Sequence, residues 1–320
     1  MRSIFVLCLV GVTAASNASF ELVMVLDRTT QSIKRFDSTS GVYLGSFANG
    51  VVDSANVNLM IDQPNGQVVV GDVTGATNYA QVYDYNTGQY IGDRSYFYGA
   101  TYASGNSGHI TSMYVPNASY VISSTIAGGY PGYSGYVENP GSSFSMSGSA
   151  TGSRIYAVDL NTKTLHWWNS LYATSSAGSV ALANPASFQL TGEMAVTATR
   201  LAFASSVGGT AALWLGDINT GSGTPTMRSF NISSRYTTAY HTVFGHNDDV
   251  YIGAVKASGE RVIARYNFVT GAWRGEFGGG GQISDIAGLT MVVAPEPAPF
   301  VAMGVGVGVL IGRSRRKCAR

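Results

Sequence analysis

Apolar residues along this chain fall in short runs separated by Gly, Asn, Asp and Ser, and almost nowhere do they follow a helical period. Glu21-Leu-Val-Met-Val-Leu-Asp27, Ile33–Phe36, Val42–Leu44, Asn58–Asp62, Gln67–Asp72 and Ala80–Asp84 are typical. Runs of this length between turn residues predict strands, and no 15-residue stretch outside the two ends carries a convincing 3.6-residue apolar period. The second of these stretches is the clearest. A strand at Asn58–Asp62, a turn at Gln63-Pro-Asn-Gly66, a strand at Gln67–Asp72, a loop and a strand at Ala80–Asp84 lead through a tight turn to Tyr90-Ile91. That is a four-stranded meander.

A five-residue signature recurs at the turns. Asp84-Tyr-Asn-Thr-Gly88, Asp159-Leu-Asn-Thr-Lys163 and Asp217-Ile-Asn-Thr-Gly221 are close copies, and Asp37-Ser-Thr-Ser-Gly41 and Asn267-Phe-Val-Thr-Gly271 are looser ones. Asp and Asn bond their own backbone and Gly accepts positive φ, so each is read as a hairpin turn. The last residues of the signatures lie 47, 75, 58 and 50 positions apart. Units of 40–55 residues built from short strands have the spacing of propeller blades. The meander and its turns resemble the blades of NHL-like and related β-propellers. The expected fold is therefore all-β: a propeller of five four-stranded blades, six if the long gap hides a degraded one, with a β-sandwich or β-solenoid as the alternatives. The long gap holds residues 127–150, rich in Gly, Ser and Tyr, read as an insertion that could instead hide a degraded sixth blade; Tyr130, Tyr133 and Tyr136 within it could form a contact surface. The first unit lacks an opening strand, and Ser284–Val293 resembles Ser54–Asp62. A C-terminal strand completing the N-terminal blade would close the ring and remove two sheet edges.

The ends carry a different grammar. Met1-Arg2-Ser3, the apolar run Ile4–Val12 and the small residues to Ala18 fit a secretory signal peptide, residues 1–18, with Ser16 and Ala18 read by the peptidase. At the other end, Pro295-Glu296-Pro297 precedes an apolar segment within 298–312 and a basic cluster, 313–320, of Arg313, Arg315, Arg316 and Lys317. The prolines keep the motif extended, and the basic cluster follows the positive-inside rule. Motif, transmembrane helix and arginine cluster in this order resemble the PEP-CTERM sorting signal of Gram-negative bacteria. The resemblance implies processing by signal peptidase and by an exosortase, a membrane cysteine peptidase. It also implies a membrane-anchored precursor, then display on the cell surface or in the extracellular matrix, with exopolysaccharide or biofilm as the association. The body is then residues 19–293 and the sorting tail 294–320.

Removing both ends changes the charge. The whole chain is +1, but cleavage just after Pro297 would leave 13 basic side chains against 18 acidic ones, a net charge near −5. With no basic stripe, a nucleic-acid partner is not expected. Both cysteines, Cys8 and Cys318, lie in the removable ends, so the body must be held by its core. Forty glycines and nineteen tyrosines suit turn-rich β structure.

Chemistry-bearing motifs are scarce. No Gly-x-Ser-x-Gly elbow, His-Glu-x-x-His pair or EF-hand loop occurs. His241, His246, Asp248 and Asp249 cluster in sequence, but their spacing suits a polar loop better than a metal centre. The Asp-bearing turns are read as turn chemistry rather than calcium ligands. His166, Trp167 and Trp168 form a candidate aromatic sugar platform; adjacent strand residues face opposite sides, so one tryptophan is expected in the core. No cofactor is expected. The leading expectation is a non-catalytic binding or scaffolding propeller, and the alternative is an extracellular lyase or glycosidase acting on polysaccharide. A glycosidase needs two carboxylates about 5–10 Å apart.

Overall fold

The computed structural model describes residues 20–48, 58–62, 66–71, 79–95, 104–106, 109–114, 120–125, 133–138, 144–149, 154–159, 163–169, 176–182, 189–190 and 194–294. These residues form strands in six antiparallel sheets. Blade 1 holds β1 (Phe20–Asp27), β2 (Ser32–Asp37) and β3 (Tyr43–Phe47). Blade 2 holds β4 (Asn58–Asp62), β5 (Gln67–Gly71), β6 (Tyr79–Asp84) and β7 (Tyr90–Ser95). Blade 3 is β8 (Ser104–Asn106), β9 (His109–Tyr114), β10 (Tyr120–Thr125) and β11 (Tyr133–Glu138). Blade 4 is β12 (Phe144–Ser149), β13 (Ile155–Asp159), β14 (Thr164–Trp168) and β15 (Gly178–Ala181). In blade 5, β16 (Gln189–Leu190) and β17 (Ala195–Val196) both pair with β18 (Arg200–Val207), followed by β19 (Thr210–Ile218) and β20 (Pro225–Asn231). Blade 6 is β21 (Thr238–Phe244), β22 (Asp249–Val255), β23 (Arg261–Asn267) and β24 (Trp273–Phe277). The last strand, β25 (Gly288–Ala294), pairs with β1 and so supplies the missing first strand of blade 1.

The second strand of each well-described blade is a continuous apolar run rather than an alternating one, as in Leu22–Leu26, Val68–Val70, Leu201–Ala204 and Val250–Ala254. Both faces of such a strand are covered by neighbouring sheets, so neither face selects polar residues. Three buried clusters occupy the spaces between sheets. Leu213, Ile252 and Tyr236 belong to the one between blades 5 and 6. Tyr156, Trp167 and Phe203 belong to that between blades 4 and 5, and Val25, Phe36 and Ile263 to that between blades 6 and 1. On the inner side, β4 lies beside β8, β8 and β9 beside β12, β12 beside β17, and β17 and β18 beside β21. Gly288 of β25 crosses β4 so closely that a Cβ would sit 2.7 Å from the Leu59 nitrogen. The succession of sheets is thereby cyclic.

Two sequence expectations change. The sheets number six, and residues 127–150 are not an insertion outside them: β11 and β12 lie inside that stretch and pair into blades 3 and 4. Among the described residues no helix is long and apolar enough to cross a membrane. The segments 1–18 and 295–320, with Ser16, Ala18, the Pro295–Pro297 motif and the basic cluster, lie outside the described residues, as does Tyr130.

Candidate functional site

Four turns repeat one geometry. In each, an Asp or Asn side chain accepts backbone N–H groups two or three residues on, and the N–H of the glycine four residues on donates to that residue's own carbonyl. Asp84 Oδ1 accepts from Asn86 N (2.9 Å) and Thr87 N (2.7 Å), and Gly88 N donates to Asp84 O at 2.8 Å. These hydrogen bonds hold the Asp84 carboxyl below its ordinary range. Asp37 and Asn267 do the same for the turns ending in Gly41 and Gly271. In blade 5 the geometry is displaced by two residues: Asn219 accepts from Gly221 N and Ser222 N, and Gly223 N closes the turn. Asp217 pairs instead with Arg228 at 3.1 Å. The remaining copy, Asp159–Lys163, joins the second and third strands of blade 4 rather than the third and fourth. Equivalent glycines are therefore 41, 88, 223 and 271, all with φ of 69–79°. The 135 positions from Gly88 to Gly223 are three blade steps of about 45, which explains the irregular spacing of the signatures.

Each of these turns is gripped by the preceding blade. Arg35 Nη1 donates to Asn86 O, Arg154 Nη2 to Gly221 O, Arg228 Nη1 to Val269 O, and Arg265 Nη1 to Ser38 O. Tyr156 and Tyr251 hydroxyls add bonds to Gly223 O and Ser38 O, both 3.0 Å. The turns thus satisfy backbone carbonyls with cations from next door. This assigns the Asp residues of the signature a packing role.

The opposite ends of blades 6 and 1 carry a polar network. Asp27, fully buried, bonds Lys34 Nζ at 2.7 Å and accepts Ser284 N (2.7 Å) and Thr30 N (3.2 Å). Burial alone would raise its carboxyl, but Lys34 and the two N–H groups outweigh burial and hold it below the ordinary range. Lys34 also donates to Gln282 O. Asp285 takes Arg28 Nε at 2.8 Å, Gly280 N donates to Glu260, and Ala287 N donates to Leu26 O. Five anchors thus fasten the loop before β25. Beneath it, His241 sits in a β-bulge of β21 with φ 47°, buried, its basicity lowered to about 4 by that burial. Its neighbour Tyr240 is pushed up to about 12, also by burial.

The residues singled out from sequence disperse. His246 pairs with Glu21, Asp248 with Arg200 (2.5 Å) and Asp249 with Arg274 (2.5 Å), while His241 lies in the network just described. Among the described residues no group of three metal-ligating side chains forms. The aromatic platform fails on exposure. Trp167 is 5% and Trp168 0% exposed, because β14 is flanked by β13 and β15 and both tryptophans are buried, with His166 half-buried beside Trp168. Neither ring offers a face to a sugar, so both tryptophans are core rather than one. Two carboxylates converge in one place: Glu260 and Glu276 both bind Lys256, and Glu276 accepts the Tyr236 hydroxyl at 2.7 Å. Sequence spacing gave no sign of this, since Tyr236 and Glu260 come from two separate connections and Glu276 from β24.

No family model matches the sequence, and no curated protein matches it. Solved structures do. A functionally unknown protein from Desulfotomaculum acetoxidans is 14% identical, with a TM-score of 0.55 over 87% of this chain and 86% of that one. A chain of the nidogen/laminin complex is 9% identical, with a TM-score of 0.57 over 86% and 99%. A protein from Lactobacillus plantarum is 10% identical, with a TM-score of 0.54 over 86% and 99%. At these identities the likeness concerns the fold alone. With the cyclic succession of sheets, it defines residues Glu21–Val292 as a β-propeller.

Proposed function

We propose that this chain is an exported, non-catalytic propeller displayed on the cell surface or in the extracellular matrix, delivered there by its C-terminal tail as an exosortase substrate. The observation that carries the reading is the tail itself. Pro295-Glu296-Pro297, an apolar segment and the Arg313–Lys317 cluster follow in the required order directly after the last strand. A binding or scaffolding role is supported by the state of the carboxylates, most of which in the described residues cap turns or neutralise a cation. The partners of this reading are signal peptidase and exosortase for processing, the membrane through the uncut tail, and extracellular polysaccharide.

The reading is tested by replacing Pro295, Glu296 and Pro297 with alanine in the native host. The expected result is a membrane-retained protein of uncut length. Surface release at the wild-type level would remove the sorting role.

One observation favours the second reading, a polysaccharide-cleaving enzyme: the convergence of Glu260 and Glu276 on Lys256. Chain cleavage by the wild type that is lost in Glu276→Gln would select it.

A further inference from the structure

Large apolar side chains exposed among the described residues are not scattered. They are Val42–Leu44, Tyr90–Ile91, Val269 and Trp273, all on the outermost strands of blades 1, 2 and 6 or the turn leading into one of them. These three blades are consecutive around the ring. Exposed large apolar side chains that recur on neighbouring outer strands, rather than singly over the surface, point to a place where something binds.

Three of the residues occupy one repeated slot. Tyr43, Tyr90 and Trp273 each stand two positions after the turn glycine and two before a second glycine, Gly45, Gly92 or Gly275, where the strand bulges. They are 38%, 49% and 40% exposed. Each is braced from behind by an aromatic on the neighbouring strand. Phe36 lies 5.3 Å behind Tyr43 and Tyr83 lies 5.6 Å from Tyr90. Trp273 is paired with Tyr266, donates Nε1 to the Tyr236 hydroxyl at 3.1 Å, and carries the Arg235 guanidinium 4.0 Å above its ring. Rings held in this way lose little freedom when something stacks on them. Blade 5 has Pro225 in the equivalent slot, so the row ends there.

We propose that this row is a binding surface for an uncharged polysaccharide chain, with Tyr43, Tyr90 and Trp273 as stacking platforms on successive blades. The inference gives the polysaccharide partner of the proposed function a site and rests on that reading for the partner. The binding assay below does not use the sorting tail, so the two can fail separately. The same slot presented at the blade repeat suits a ligand that itself repeats, since linked weak contacts add as avidity. Planar amphipathic rings match the alternating apolar faces and hydroxyl edges of sugars. Other occupants fit worse. With cleavage after Ala18 and after Pro297, 13 basic side chains, ten of them arginine, stand against 18 acidic ones, and this net negative charge disfavours an anionic lipid surface or an acidic polymer. A second copy adding a strand to these edges meets the bulges at Gly45, Gly92 and Gly275, which break the ladder a new strand would need.

The test is affinity electrophoresis of the full chain through gels containing a neutral β-glucan, a galactomannan or a xylan. Retardation by at least one is expected. Tyr43→Ala and Tyr90→Ala should each weaken it about 2–10-fold and the pair by roughly the product, while Tyr43→Phe and Tyr90→Phe retain it. An unchanged melting temperature in the alanine variants shows that the loss is local. Three results overturn the proposal: no retardation by any of the three polymers, retardation indifferent to both tyrosines, or the same alanines abolishing binding to phosphatidylcholine vesicles or concentration-dependent self-association instead.

Discussion

Replacing Asp27 with asparagine removes the charge at the centre of the loop that precedes the closing strand. Asp27 is fully buried, its partner Lys34 nearly so, and the pair is 2.7 Å apart. An exposed pair is worth under about 1 kcal/mol, but removing one partner of a buried pair leaves an uncompensated charge and costs about 3–5 kcal/mol. Asparagine keeps one acceptor for Ser284 N or Thr30 N, so the lower end, about 3 kcal/mol, is expected. For a body of this size that lowers the melting temperature by roughly 6–12 °C. Asp27→Asn with Lys34→Met should recover most of the loss, because the stranded cation is gone. The pH dependence has a definite sign. The folded carboxyl titrates below its ordinary value of 3.8, so the stabilisation is complete above that value and is lost as pH falls through the depressed one. Asp27→Asn should flatten this acid limb. Thermal unfolding followed by near-ultraviolet circular dichroism between pH 3 and 7 measures all three quantities. A loss of under about 1 kcal/mol in Asp27→Asn, or a double variant as unstable as the singles added together, would refute the idea that this pair fastens the ring.

His241 adds a second loss on the acid side, beginning at higher pH. Its imidazole is kept neutral to about pH 4 in the fold but takes a proton near 6.5 when unfolded, so stability should fall as pH drops from 6.5 to 4, by at most about 1.4 kcal/mol per unit. His241→Asn, which tolerates the φ of 47°, should abolish that slope; a wild-type slope that survives it would assign the protonation elsewhere. At the turns, Gly271→Ala faces both a φ of 69° and overlap with the Phe230 ring, for a loss of about 2–4 kcal/mol. Gly259→Ala has φ 84° but open space, and should lose only about 1–2 kcal/mol in urea unfolding. Equal losses in the two variants would show that the interblade contact adds nothing.

Much of the fold was legible because two of its determinants are local. Continuous apolar runs identify strands covered on both faces, and the Asp or Asn to Gly turns identify where one strand returns on the next. The closing strand was legible for a third reason: Ser284–Val293 copies the opening strand that blade 1 lacks. The blade count was less so. Blade 3 carries no copy of the turn, blade 4 carries it at the wrong hairpin, and blade 5 carries it two residues late at Asn219–Gly223. A signature defined by residue names cannot separate these cases, because Asp-x-Asn-Thr makes a turn wherever two strands meet. The longer pattern Gly-x-Tyr/Trp-x-Gly occurs at Gly41–Gly45, Gly88–Gly92, Gly128–Gly132 and Gly271–Gly275, in each case between a blade's third strand and the first residues of its fourth, and so marks four of the six blades.

That pattern also explains why the tryptophans misled. Trp167 and Trp168 are adjacent and conspicuous, yet they lie on the third strand of blade 4, where neighbouring blades cover the sheet, so their size fills the core. Trp273 is a single tryptophan in a stretch of glycine and charge, but it lies on an outermost strand, where only one side of the sheet has a partner. Exposure in a propeller follows the strand's place in its blade more than the residue's hydrophobicity. The outer strand can carry large rings that are braced on one side, by Phe36, Tyr83 or the Tyr236 hydroxyl, and still partly exposed. In blade 5 the same slot is filled by Pro225, in a turn gripped by Arg154 just as the others are gripped. The turn therefore works without an aromatic after it. The exposed part of Tyr43, Tyr90 and Trp273, 38%, 49% and 40% of each residue, is what the turn does not use and what a polysaccharide would have to contact.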